Sequence, residues 1–160
     1  MQSLTLHLPD AVATSRAGAS LAPALSGGMV VTLQGDLGVG KTTLVRGMLR
    51  ALDVTGPIKS PSYGLVEHYP LSSIYFYHLD FYRFAYSSEW DTAGLADCFR
   101  DDSVCVIEWP ERVAARLPPI DLALFLALPL HDGRELTARA HTEHGERCVS
   151  ALAAEFSATS

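Results

Sequence analysis

The sequence predicts an α/β domain of three layers, with a mostly parallel central sheet and additional antiparallel strands. Three observations carry that expectation. Short apolar runs, Met29–Leu33 and Val104–Ile107, read as strands covered on both faces. Between such runs lie stretches whose apolar residues recur at helical spacing, as Leu44, Val45, Met48, Leu49 and Leu52 do. Near the C-terminus, Asp121–Leu128 and Glu135–Ala140 read as two strands joined by a turn at Asp132-Gly133. Strands alternating with helices build an α/β sheet, and a late hairpin adds antiparallel edges.

The elements follow in order. Leu4 to Leu8 alternates as a first strand. Asp10 is a capping residue for a helix running to about Leu21, and Pro23 argues against its continuing. Met29–Leu33 leads into a glycine-rich turn and the amphipathic helix. Gly56–Pro61 is a loop, Tyr63–Tyr69 reads as extended, and Ile74–Leu79 is a strand ending at Asp80. Ser87–Phe99 reads as one helix. Val104–Ile107 ends at Glu108, and Gly145–Phe156 closes the chain as a helix. No linker or repeat interrupts this series, so residues 1–156 are expected to form one domain and 157–160 a flexible tail.

Composition excludes several functions. The 160 residues carry a formal net charge of −6, which is poor for gripping a phosphate backbone, so DNA binding is not expected. Any role in RNA chemistry is expected to run through a partner that holds the RNA. The longest apolar run, Leu122–Leu130, falls well short of the ~20 residues of a membrane-spanning helix. The opening MQSLTLHLPD lacks the basic start and apolar run of a signal peptide. The three cysteines make neither a CxxC pair nor an even disulfide set. A cytoplasmic protein is the expectation.

The motif richest in chemistry is Gly35-Asp36-Leu37-Gly38-Val39-Gly40-Lys41-Thr42, a match to GxxxxGK[ST] between a strand and a helix. Its glycines permit a backbone path whose N–H groups point inward at phosphate oxygens, and the following helix adds positive dipole. In this pattern Lys41 reaches the β- and γ-phosphates, Thr42 joins a magnesium shell and Thr43 lies near the α-phosphate. The domain is thereby P-loop NTPase-like, with ATP and Mg2+ as expected ligands. Such a site needs carboxylates at strand ends. Asp80 and Glu108 both terminate apolar runs and are the two candidates.

Asp91-Thr92-Ala93-Gly94 copies the DxxG switch of small GTPases. An apolar strand does not precede it, and the chain has no asparagine to form the guanine-reading NKxD motif. Its surroundings read as a helix instead. Adenine is therefore the expected base.

GDLGVGKTTLVRG at Gly35–Gly47, KSPSYGLVE at Lys59–Glu67, HLDFYR at His78–Arg83 and EWPE at Glu108–Glu111 occur in that order. Together they resemble the TsaE family, the ATPases of bacterial tRNA threonylcarbamoyladenosine synthesis. The resemblance spans most of the chain, to about Arg134. It implies partner-stimulated ATP hydrolysis beside the TsaB–TsaD pair, with tRNA reached through those partners. It implies that the loop from Gly38 to Thr43 cradles the triphosphate and that Thr42 and Glu108 hold magnesium. Asp80 becomes the catalytic carboxylate, and Ser60 and Ser62 belong to a loop that senses the γ-phosphate. Thr14, Gly133 and Arg134 fall where the family approaches the nucleotide's edge. Trp109 matches the family motif and either lines the site or packs beside it. The chain departs from the family where threonines usually stand, at Ser62 and Gly64. The competing expectation is a small-molecule kinase on the same loop, although an arginine-rich lid segment is missing from the sequence.

Overall fold

The computed structural model describes residues 2–61 and 65–157. The elements are β1 (Ser3–Leu8), α1 (Ala11–Leu21), β2 (Val30–Gln34), α2 (Lys41–Ala51), β3 (Val66–Pro70), β4 (Tyr75–Asp80), α3 (Glu89–Ala93), β5 (Ser103–Glu108), β6 (Leu122–Ala127), β7 (Arg134–Ala140) and α4 (Glu143–Ser157). They form one seven-stranded sheet in the order β1-β7-β6-β2-β5-β4-β3. The four central strands β6, β2, β5 and β4 run parallel, while β1, β7 and β3 pair antiparallel at the two edges. This is the mixed α/β architecture the patterning predicts.

Residue alternation in the central strands sends side chains to both faces, and each face has its own cover. On one face Val31, Leu33, Val104 and Val106 pack under α1, α2 and α4 through Ala17, Leu21, Leu44, Met48, Val149 and Leu152. The other face, with Leu79, Cys105 and Ile107, is closed by Phe81, Phe84, Trp90, Leu95 and Val113. Leu44, Val45, Met48 and Leu49 are fully buried, each stabilising α2 on the sheet by about 1.5–3 kcal/mol. Helix and loop are thus held to the sheet by the helix's own apolar stripe.

Asp10 begins α1 as expected: its carboxylate accepts from the Ala13 N–H at 2.9 Å. α1 and α2 then cross closely. A methyl added at Gly18 would lie 2.0 Å from the Leu44 carbonyl oxygen, and one at Gly47 would lie 2.1 Å from that of Ser15. Backbone therefore touches backbone at this crossing.

One helix departs from expectation. Ser87–Phe99 is not continuous: α3 ends at Gly94, whose φ of +67° is left-handed, and a short 3₁₀ turn, Leu95–Cys98, follows. The apolar spacing of Trp90, Leu95 and Phe99 survives the break because all three pack onto the same sheet face. The expected extended stretch Tyr63–Tyr69 is a strand from Val66, with residues 62–64 outside those described. α4 continues through Ser157, and 158–160, most of the expected tail, also fall outside. No helix among the described residues is long and apolar enough to cross a membrane.

Candidate functional site

The glycine-rich loop joins the carboxyl end of β2 to the first residue of α2. Gly38 and Gly40 adopt φ values of +77° and +112°, a region closed to most side chains. Gly40 is the N-cap of α2, and no side chain caps that end. The first N–H groups of α2 are therefore left for an acceptor from outside the chain, in the field of the helix dipole.

Two cavities flank this loop and share Gly38, Gly40 and Thr43. The first, about 280 Å³, is lined by Asp10, Thr14, Gly133 and Arg134 as well. The second, about 310 Å³, is lined by Leu37, Lys41, Thr42, Ser60, Asp80 and Glu108. The two cavities thus meet at the glycine-rich loop.

β4 and β5 set the two carboxylates. The strands are parallel and in a register that pairs Asp80 with Glu108. Both acids sit at the carboxyl ends of their strands, at the crevice where open α/β sheets bind ligands. Glu108 is 3% exposed and Asp80 5%. Asp80 Oδ1 accepts from the Tyr82 N–H at 2.8 Å. Glu108 accepts from His78 Nε2 at 2.6 Å through Oε2, and its Oε1 lies 3.4 Å from Lys41 Nζ. Burial pushes the Glu108 carboxyl up, but the hydrogen bond and charge of His78, with the Lys41 ammonium, outweigh it and hold the group below its ordinary value. It is a buried anion with two cationic or donating neighbours.

Lys41 Nζ also donates to the Gly35 carbonyl at 2.6 Å and sits 4.6 Å from the centre of the Trp109 ring. Trp109 reaches that position from a left-handed backbone (φ +56°, ψ +49°), an unusual conformation for a bulky residue. Its ring also meets Tyr82, at 4.9 Å between ring centres. Trp109 lines neither of the two cavities; it packs beside them, against Lys41 and Tyr82.

Arg134 does not point openly into the first cavity as a free cation. Its Nε donates to the Val39 carbonyl at 2.7 Å, and Nη1 to that of Gly133 at 2.9 Å. It braces the glycine-rich loop from β7. Thr14 is 2% exposed, with its hydroxyl donating to the Asp10 carbonyl at 3.3 Å. Val39, also expected here, lines the first cavity, and Gly35 stands where any side chain would strike the Leu126 carbonyl. Ser60 reaches the second cavity, whereas Ser62 and Gly64 lie outside the described residues. Asp91 of the DxxG sequence lines neither cavity: it sits in α3 and pairs with Arg116 at 3.0 Å. Reading the residues in order did not single out His78 or Tyr82. A histidine inside an apolar strand was the one available signal.

The family model described as threonylcarbamoyl adenosine biosynthesis protein TsaE matches residues 8–136. The chain belongs to the TsaE family. The tRNA threonylcarbamoyladenosine biosynthesis protein TsaE of Haemophilus influenzae is 39% identical over 157 residues, covering 95% of this chain and 99% of that one. The protein of the same name from Treponema pallidum is 37% identical over 78% of this chain and 91% of its own. That from Bacillus subtilis is 36% identical over 69% and 68%. The crystal structure of Bacillus subtilis YdiB superposes with a TM-score of 0.82 at 26% identity, covering 97% of each chain. The motifs thus lie within a match that extends over most of the chain.

The donor set also fits a hard divalent cation. Thr42, Asp80 and Glu108 bring oxygen atoms to one cavity beside an uncapped helix end, the ligand type magnesium prefers.

Proposed function

We propose that this chain binds ATP with magnesium and hydrolyses it as an accessory protein of tRNA threonylcarbamoyladenosine biosynthesis, acting with TsaB and TsaD. The observation that carries the reading is the meeting of the two cavities at Gly38, Gly40 and Thr43, with buried Asp80 and Glu108 in the lining of the second beside Lys41. The names of the relatives support the pathway.

In this reading the first cavity takes the nucleoside and the second takes the γ-phosphate. The loop N–H groups hold the phosphate chain. Lys41 exchanges the Gly35 carbonyl for β- and γ-oxygens. Thr42 and Glu108 hold magnesium, which supplies charge neutralisation at those oxygens when bound. Asp80 accepts a hydrogen bond from a water and aims it at the γ-phosphorus. The bond from that phosphorus to the bridging oxygen breaks, ADP keeps the oxygen, and the water's proton ends on the released phosphate. Arginines are missing from the lining of the second cavity among the described residues. That supports slow turnover alone, since a cation supplied by a partner is worth about 10³–10⁵ in rate.

The test is phosphate release by the purified chain with and without TsaB and TsaD, alongside modification of unmodified tRNA. The reading requires stimulation by the partners and dependence of multi-turnover modification on this chain. Transfer of label from ATP to a small acceptor would establish the kinase instead.

A further inference from the structure

His78 is 0% exposed, the most thoroughly buried titratable side chain near the site. It occupies an interior position of β4, two residues before Asp80, so alternation places both on the face that α2 covers. In the β4–β5 register His78 pairs with Val106, which leaves Glu108 one diagonal step away. The resulting contact is short, 2.6 Å from Nε2 to Oε2. A carboxylate only accepts, so Nε2 carries the hydrogen. The opposite ring nitrogen, Nδ1, is buried with no partner among the described residues. The ring is therefore spent on one contact, and that contact is with Glu108.

Glu108 has two oxygens with different surroundings. Oε2 is held from inside the sheet by His78, and Oε1 is on the Lys41 side, at the second cavity. We propose that His78 is the positioning residue of Glu108: it fixes Oε2 so that Oε1 alone is presented to the cation that accompanies the nucleotide. This rests on the reading of Glu108 as a magnesium-holding carboxylate. The physical logic is that of any metal site whose ligating carboxylate is itself hydrogen-bonded. The partner removes the rotational freedom of the carboxylate, and losing it typically costs 10–100-fold in metal affinity or activity. Magnesium demands near-ideal octahedral geometry, which single-oxygen ligation suits better than a carboxylate free to turn.

A histidine merely satisfied in the core would leave cation affinity alone, and this separates the two cases. Nucleotide affinity is measured by titration calorimetry with and without magnesium for wild type, His78→Leu, His78→Asn and His78→Gln, each checked for folding by its thermal melt. In His78→Leu the gain in ATP affinity on adding magnesium falls about 10–100-fold, while affinity without magnesium is unchanged. His78→Asn, too short to reach Oε2, loses as much. His78→Gln, whose amide reaches the place of Nε2, stays within about threefold of wild type. If His78→Leu does not fold, the comparison of Asn with Gln decides. A full magnesium gain in the folded Leu or Asn variant overturns the proposal, as does a Gln variant no better than Asn. Glu108→Gln is measured beside them. If it too keeps the full gain, the magnesium reading of Glu108 has failed; if it loses the gain while His78→Leu keeps it, the positioning role alone has failed.

Discussion

Lys41 and Glu108 face each other at 3.4 Å in the interior of the protein, one 6% exposed and the other 3%. Lys41 is also bound to the Gly35 carbonyl, so it is held in place before any ligand arrives. Binding a phosphate chain then requires an exchange of partners rather than the ordering of a free side chain, which keeps the entropy cost small.

Lys41→Ala should weaken ATP binding by about 10–100-fold, the equivalent of the ~1.5–3 kcal/mol of a charge-assisted hydrogen bond. The same change leaves Glu108 buried with one fewer partner, so the ligand-free protein should also melt lower. Calorimetric titration and a thermal melt measure the two effects. Unchanged ATP affinity would contradict the assignment of the loop.

The depressed Glu108 carboxyl sets a pH dependence. A carboxyl whose folded pKa lies below its ordinary value of 4.5 adds stability that is present above that value. That stability is lost as pH falls through the folded pKa, because the unfolded chain takes up the proton first. Urea unfolding between about pH 3 and pH 6 should show stability falling on the acid side. The fall should be shallower in Glu108→Gln, which has no proton to gain. An identical slope in the two proteins would place the acid sensitivity elsewhere.

Trp109 should report on nucleotide. Its ring lies 4.6 Å from the Lys41 ammonium, and a cation over an indole perturbs the ring's electronic environment. Trp90 is the other tryptophan and sits in the far-face core, so Trp90→Phe leaves one emitter. ATP should then change the emission of Trp109 as Lys41 moves off the ring. The response should vanish in a further Lys41→Met change. An emission that ignores saturating ATP would show that the two stay together.

The crossing of α1 and α2 should be intolerant of a single methyl. Gly18→Ala and Gly47→Ala would each bring a carbon to within about 2 Å of a carbonyl oxygen of the other helix. Overpacking of this kind costs about 1–3 kcal/mol, and roughly 2–4 °C in Tm for each kcal/mol in a chain of this size. A melt unchanged by either substitution would mean that the helices separate freely.

The sequence spells out the parts of the site that are local in the chain. β2, the glycine-rich loop and α2 follow one another, and each announces itself through an apolar run, a motif and a helical period. Asp80 and Glu108 were legible because a charge that ends an apolar run marks the carboxyl end of a buried strand. The His78–Glu108 contact was not, since it is set by cross-strand register between residues 30 positions apart. The resemblance implies for Arg134 only a place at a nucleotide's edge; its grip on Val39 spans 95 positions. The break in the Ser87–Phe99 helix escaped for a different reason. Apolar periodicity records which side chains face the core, and it says nothing of the left-handed φ at Gly94 that divides the segment.

The bare backbone crossing at Gly18 and Gly47 also governs how the first cavity can adapt. Thr14 comes from α1 and Thr43 from α2, and both line that cavity. At Gly18 and Gly47 no side chain separates the helices, so neither can slide there without driving main chain into main chain. That wall of the cavity is therefore held rigid. The Gly133–Arg134 segment is tied to the same wall, since Arg134 pairs with Leu8 across the β1–β7 edge and donates to the Val39 carbonyl, so the glycine-rich loop is anchored through the sheet to the strand that leads into α1.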